Sequence, residues 1–291
     1  MWTLRRSTRS RNGATTGGAL DALWVGGWAV IAADFRCMSQ AARTDMYAPV
    51  PDGFPVRGAS VRYTEVSPSH DLAGVVHCFW ELRTVADLSE DFLYHALPDA
   101  CVNLLFNRLV PSVAGITALH TSATTLNLGR VFHYVGVQLF PGVWQGNSDE
   151  LTDRYVGAPY EGALPLVATN ERLSGLSFPD ATHQLADLVR WCVAQGYVVP
   201  NPVTARILSH LDSIRTVADM ASLAGVTPRQ LQRILKRQTG FAPHDLLKVL
   251  RVQQSFRKHY LELYADQAHF IHAFRKATGF TPVQYRKRFG G

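Results

Sequence analysis

The sequence predicts an α+β protein, with a β-rich, barrel- or sandwich-like domain first and an all-α domain after it. Three observations predict this. Between residues 61 and 142, short β-branched and aromatic runs are broken by Pro, Gly, Asp and Ser, the pattern of an antiparallel sheet or barrel. After Leu164 the apolar spacing becomes that of helices and stays so to the end. The charge divides as well: residues 201–291 carry fifteen Lys and Arg against five acids, a balance of +10, whereas residues 46–200 carry eight Arg against fifteen acids, a balance of −7. All five lysines lie in the basic part, the footprint expected of a nucleic-acid module joined to something else.

At 291 residues the chain has room for two domains, and 47% apolar content is enough for a real core. Four segments are expected: an extension over 1–45, a β-rich domain over 46–165, a helical linker over 166–202 and the all-α domain over 203–291. In the extension Arg5, Arg6, Arg9 and Arg11 precede an apolar stretch over 20–33, as in a secretory signal. However, Asp21 interrupts the start of that stretch, which falls short of the ~20 apolar residues that span a bilayer. The expectation is an unstructured or mis-called extension, with translation starting at Met38 or Met46, in a cytoplasmic protein with no membrane partner.

Four strands are read in order, over 60–66, 74–82, 101–106 and 132–140. The first alternates apolar and polar residues, and the others are more continuously apolar and hence more buried. A helix is expected over 180–195, where Leu185, Leu188, Val189 and Cys192 share a face and Gly196 follows. Pro200 and Pro202 punctuate the chain before a helix over 203–211, with Ile207, Leu208 and Leu211 on one side.

The next stretch carries a sharper pattern. A helix over 215–224 ends at Gly225, which suits a left-handed turn, and Ala221 permits close approach of a neighbour. Thr227 then caps a second helix, with Pro228 in its first turn. Leu231, Ile234 and Leu235 form its apolar stripe. Arg229, Gln230, Gln232 and Arg233 are placed to meet base edges, and Thr227, Lys236 and Arg237 to meet phosphate, since Arg pairs bidentately with guanine and Gln with adenine in the major groove. An internal repeat follows. Thr239-Gly240-Phe241-Ala242-Pro243 recurs 39 residues later as Thr278-Gly279-Phe280-Thr281-Pro282. The same offset lays Asp266 on Thr227, Phe270 on Leu231, Phe274 on Leu235, Arg275 on Lys236 and Lys276 on Arg237. The second copy adds Gln267, Ala268 and His269 as base-facing candidates, with Arg275 and Lys276 for phosphate.

Residues 216–251 and 265–288 resemble the two halves of an AraC/XylS-family DNA-binding domain. The likeness is carried most specifically by 265–270, by 273–276 and by the repeated Thr-Gly-Phe-x-Pro. It implies seven helices, two helix-turn-helix units and a long connecting helix, here from Pro243 to about Tyr260. More weakly, 97–107 and 135–142 resemble a β-rich domain often fused to such modules, one expected to sense a small molecule or to pair two protomers. One departure stands out. About ten residues are missing before the second reading helix, and the counterparts of Val217, Ala221 and Gly225 fall at Phe256, Tyr260 and Tyr264, which cannot supply small contacts or a turn. The second unit is therefore expected to be poorly supported.

The resemblance implies a sequence-specific transcription regulator whose partners are double-stranded DNA, a small-molecule effector and a second copy of itself. A regulator reduced to non-specific DNA binding, a ligand-binding protein and an enzyme in the N-terminal half are the alternatives. No cofactor, catalytic residue or metal site is expected. Cys37, Cys78, Cys101 and Cys192 form no C-x-x-C pair, His77-Cys78 and His95 with Asp99 lack further ligands, and Walker, G-x-S-x-G and dinucleotide motifs are missing. Asp149-Glu150 reads as an acidic cluster at a helix start. Phe79, Trp80, Phe106, Phe132, Phe140 and Trp144 read as core, some of them lining an effector pocket.

Overall fold

The computed structural model describes residues 60–152, 157–256 and 260–289. The expectations for the first 45 residues lie outside them. Among the described residues eight strands are followed by eight α-helices, so the protein is α+β, with a β-sheet domain over 61–152 and an all-α region after it.

The strands are β1 (Val61–Val66), β2 (Val76–Thr84), β3 (Leu93–Ala96), β4 (Asn103–Asn107), β5 (Ala114–Thr117), β6 (Thr124–Asn127), β7 (His133–Leu139) and β8 (Leu151–Thr152). Six of them form one sheet in the order β1-β2-β7-β4-β5-β8, antiparallel except for the parallel β5–β8 pair; β3 and β6 form a separate antiparallel ribbon. All four strands read from the sequence are present, with ends moved by one or two residues. The short strands β3, β5, β6 and β8 were not anticipated.

Both faces of the large sheet are covered, and alternation along each strand decides what goes where. Phe79, Leu104, Phe106, Val135, Val137 and Leu139 point to one side and join a core built with helices α1 (Leu166–Leu173) and α2 (Phe178–Ala194). Their neighbours Trp80, Leu82, Leu105 and Tyr134 point to the other side, toward the ribbon. Helix α2 starts two residues earlier than the sequence suggests, because Ser177 accepts the Asp180 N–H and Pro179 sits in the first turn.

The remaining helices are α3 (Pro202–Ser209), α4 (Val217–Ala224), α5 (Pro228–Thr239), α6 (Pro243–Ser255), α7 (Gln267–Thr278) and α8 (Pro282–Phe289). That makes six α-helices after residue 201 among the described residues, against the seven implied by resemblance. The element without a counterpart is the one before α7, where a single 3-10 turn (Tyr260–Glu262) stands. The connecting helix α6 is also shorter than expected, ending at Ser255 rather than near Tyr260. Just past its end, Phe256 sets its ring against Phe274 and Tyr285, each 5.3 Å away between centroids.

The sheet core continues without a break through α3, α4, α5 and α6, taking in Ile207, Met220, Leu231, Leu235 and Leu250. A second core holds α7 and α8: Val252, Leu263, Tyr264, Phe270, Phe274, Ala277 and Tyr285, together with Leu97 from the far end of the sequence. Among the described residues no helix is long and apolar enough to cross a membrane.

Candidate nucleic-acid interface

Helix α4 begins in a capping box: Thr216 accepts the Asp219 N–H, and the Asp219 carboxylate accepts from the backbone of Thr216 and Arg215. These bonds hold the Asp219 carboxyl below its ordinary value of 3.8. The helix stops at Gly225, whose φ of 68° is in the left-handed region. Two residues later Thr227 opens α5 with a second capping box. Its Oγ1 accepts the Gln230 N–H at 3.2 Å, and Gln230 Oε1 accepts the Thr227 N–H at 2.9 Å. Of the inner stripe, Leu231 and Leu235 are completely buried and Ile234 partly so.

This leaves Arg229, Gln230, Gln232, Arg233, Lys236 and Arg237 exposed on α5, with no carboxylate on that helix. The Gln230 side chain is committed to the cap through its oxygen, as is the Thr227 hydroxyl. Lys236 Nζ donates to the Gly240 carbonyl at 2.9 Å, bracing the end of the helix. Arg229, Gln232, Arg233 and Arg237 extend from the surface.

The repeat at 39 residues has a structural basis. Thr239 and Thr278 are both buried, and each donates its hydroxyl to the carbonyl four residues back, Leu235 at 2.7 Å and Phe274 at 2.9 Å. Each hydroxyl also accepts an N–H two residues on, from Phe241 or Phe280, across a left-handed glycine with φ of 71° or 80°. Helix α7 starts on Asp266, which accepts the His269 N–H at 2.7 Å. Its exposed residues are Gln267, Ala268, His269, His272, Arg275 and Lys276, again with no carboxylate.

What differs is the support behind the two helices. Helix α5 leans on α4 and the main core. Among the described residues no counterpart of α4 precedes α7, which packs instead on α6 and α8; it is capped at both ends and its inner face is buried, contrary to the expectation of a poorly supported unit. The ribbon supplies what is missing. The Ala123 N–H, at the entrance to β6, donates to the Ala277 carbonyl at 2.6 Å. His95 of β3 meets the Thr278 carbonyl through Nε2 at 3.0 Å. A carbonyl only accepts, so Nε2 carries the proton, and Nδ1 is left facing the Thr125 hydroxyl at 3.3 Å. These are carbonyls of the last turn of α7, which no residue of the helix itself can satisfy. The His95 ring also stacks on Phe289 at 4.9 Å. Leu97 packs in the second core, and the buried Gln253 donates to the Pro98 carbonyl at 2.9 Å. The sequence reading missed the role of these residues in holding α7, because no local pattern shows it and their partners there lie more than 150 residues away.

Of the six aromatics considered for a pocket, Trp80 lines a cavity of about 100 Å³ between the sheet and the ribbon. Phe79, Phe106, Phe140 and Trp144 sit in the main core and Phe132 in a smaller cluster. Cys78, Cys101 and Cys192 are buried thiols; burial pushes Cys192 up to about 12, and burial with the nearby Glu65 and Asp99 pushes Cys78 higher still. Asp149 and Glu150 form a 3-10 turn capped by Asn147, and Glu150 accepts from the Tyr160 hydroxyl. Among the described residues no group of three His, Cys, Asp or Glu is placed to hold a metal.

A family model described as a domain of unknown function (DUF6597) matches residues 64–156, the span of the sheet and ribbon. No curated protein and no solved structure matches the chain.

Proposed function

We propose that this chain is a DNA-binding transcription regulator of the AraC/XylS kind, in which α5 and α7 enter the major groove and the sheet domain controls them. The observation that carries the reading is the pair of capped helices with basic, carboxylate-free outer faces, each closed by the same buried-threonine, left-handed-glycine turn. Capped helix N-termini suit phosphate, and exposed Arg and Gln suit base edges. Arg229, Gln232 and Arg233 on α5, with Gln267 and His269 on α7, are the base readers; Lys236, Arg237, Arg275 and Lys276 face phosphate.

The test is selection from a pool of genomic fragments by the purified protein at near-physiological salt, with sequencing of what is retained. The expected outcome is enrichment of a site with two blocks about 10 base pairs apart. Arg233→Ala should weaken the selected site by ~1–3 kcal/mol and relax one position in it. Retention without enrichment, vanishing as salt rises, would leave only non-specific binding. The single 3-10 turn in place of a helix before α7 favours an intermediate reading, in which one block is enriched and α5 alone reads sequence. No retention even at low salt would remove DNA from the account.

A further inference from the structure

The ribbon is two-sided, and each side does a different thing. Along β3, Tyr94 and Ala96 line the cavity while His95 between them turns to α7 and α8. Along β6, Thr124 and Leu126 line the cavity while Thr125 faces His95. One thin layer of backbone therefore separates the cavity from the last turn of α7. The loop before β6 continues the connection: Leu119, His120 and Ser122 line the cavity, and also a cleft against Gln232 and Lys236 of α5.

The cavity wall has a defined chemistry. Tyr63, Trp80, Tyr94 and Tyr134 line it, and so does Asp99. Asp99 is held in place by the Cys101 N–H at 2.8 Å and by the Gln138 side-chain amide at 2.7 Å. Neither Lys nor Arg is among the lining residues. Ring faces and a carboxylate together attract an organic cation and repel an anion. The volume of about 100 Å³, roughly three waters' share of liquid, limits the occupant to a single small ring with a short arm.

We infer that the cavity between sheet and ribbon binds a small aromatic amine, and that the bound amine sets how firmly the ribbon holds the end of α7. The ammonium sits at Asp99 and the ring among Trp80, Tyr63 and Tyr94. Filling the cavity fixes β3 and β6 from behind, which steadies the Ala123 and His95 bonds to the carbonyls of Ala277 and Thr278. The consequence for DNA rests on the function proposed above; the site and its coupling to α7 do not.

The experiment uses tyramine as probe, with 4-hydroxyphenylacetate as its anionic counterpart, on the full chain without DNA. Calorimetry reads binding and amide hydrogen exchange reads its reach. The expected result is saturable tyramine binding, at least tenfold weaker binding of the acid, and slowed exchange in β3, β6 and the last turns of α7. Asp99→Asn should weaken tyramine at least tenfold. Should that variant fail to fold, Leu126→Phe, which fills the cavity with a side chain, should abolish binding while unfolding stays cooperative. Equal binding of amine and acid, tyramine bound with no change in α7, or no saturable binding by the wild-type chain would each overturn the proposal. All three can be read whether or not the protein selects DNA.

Discussion

His95 concentrates several constraints in one side chain. It is buried between two sheets of contact, bonded to a helix carbonyl on one ring nitrogen and facing a threonine hydroxyl on the other. Burial lowers its pKa from the ordinary 6.5; the bond to the Thr278 carbonyl opposes that shift and the nearby Arg288 adds to it. The sign follows directly. Above 6.5 the ring is neutral both folded and unfolded, and its contribution is fully present. As pH falls below 6.5, the unfolded chain takes up a proton that the folded chain resists, so stability falls until the lowered native value is passed. Urea unfolding between about pH 5 and 8 should show that loss, and His95→Gln, which keeps a donor without the titration, should flatten it. An unchanged slope in the variant would mean that other groups carry the pH dependence.

The helices and the joints between them differ in how far local sequence announces them. The caps of α5 and α7 were legible, since Thr227 and Asp266 each accept an N–H from three residues ahead; that of α4 was not, because the sequence reading starts the helix at Arg215, before its cap Thr216. The ribbon was not. Leu93–Ala96 and Thr124–Asn127 are four residues each, polar in part, and become strands only because they pair with each other and cover the sheet. The joint between sheet and helices was equally silent. Gly142 follows β7 with φ of 78°, and a Cβ there would lie 2.7 Å from Asn201 Nδ2 and 3.2 Å from Thr239 Cγ2. Asn201 caps α3, donates to the Gly142 carbonyl at 2.9 Å and to Gln238 at 2.8 Å, and is almost wholly buried. Gly142→Ala should therefore cost more than the ~1–3 kcal/mol of backbone strain alone, because the Asn201 bonds must also shift. Chemical denaturation of the variant reads this directly, and a loss below 1 kcal/mol would show that the joint can adjust.

At the scale of the whole molecule the chain is less divisible than its charge pattern implies. A boundary near residue 202 separates acidic from basic sequence, but the main core runs across it from Phe79 to Leu250. The second core crosses it in the opposite sense, because Leu97, 6% exposed, fills a place among Val252, Phe270 and Phe274. Leu97→Ala should cost roughly 2–5 kcal/mol, as expected for a buried leucine. The loss should be felt locally first: hydrogen exchange should accelerate in α7 and α8 while α4 and α5 hold. Uniform acceleration through all the helices would mean that the two cores unfold together. Such long-range reciprocity is what a sequence read by segments cannot display. The acidic part fills the interior of the basic part, and the residues involved are an ordinary leucine, an alanine and a histidine.

The two-sided ribbon also bears on which changes this protein can accumulate. Over 94–96 and 124–126 successive residues turn alternately to the cavity and to the His95 contact with α7, so a side chain can be exchanged on one side with the other left intact. Loss or gain of a single residue in either strand would do something else. It would turn every side chain over at once, sending His95 into the cavity and Tyr94 against Phe289. Substitutions should therefore be found freely among natural variants on the cavity side, where they would retune what is bound, while length stays invariant over 93–97 and 123–127.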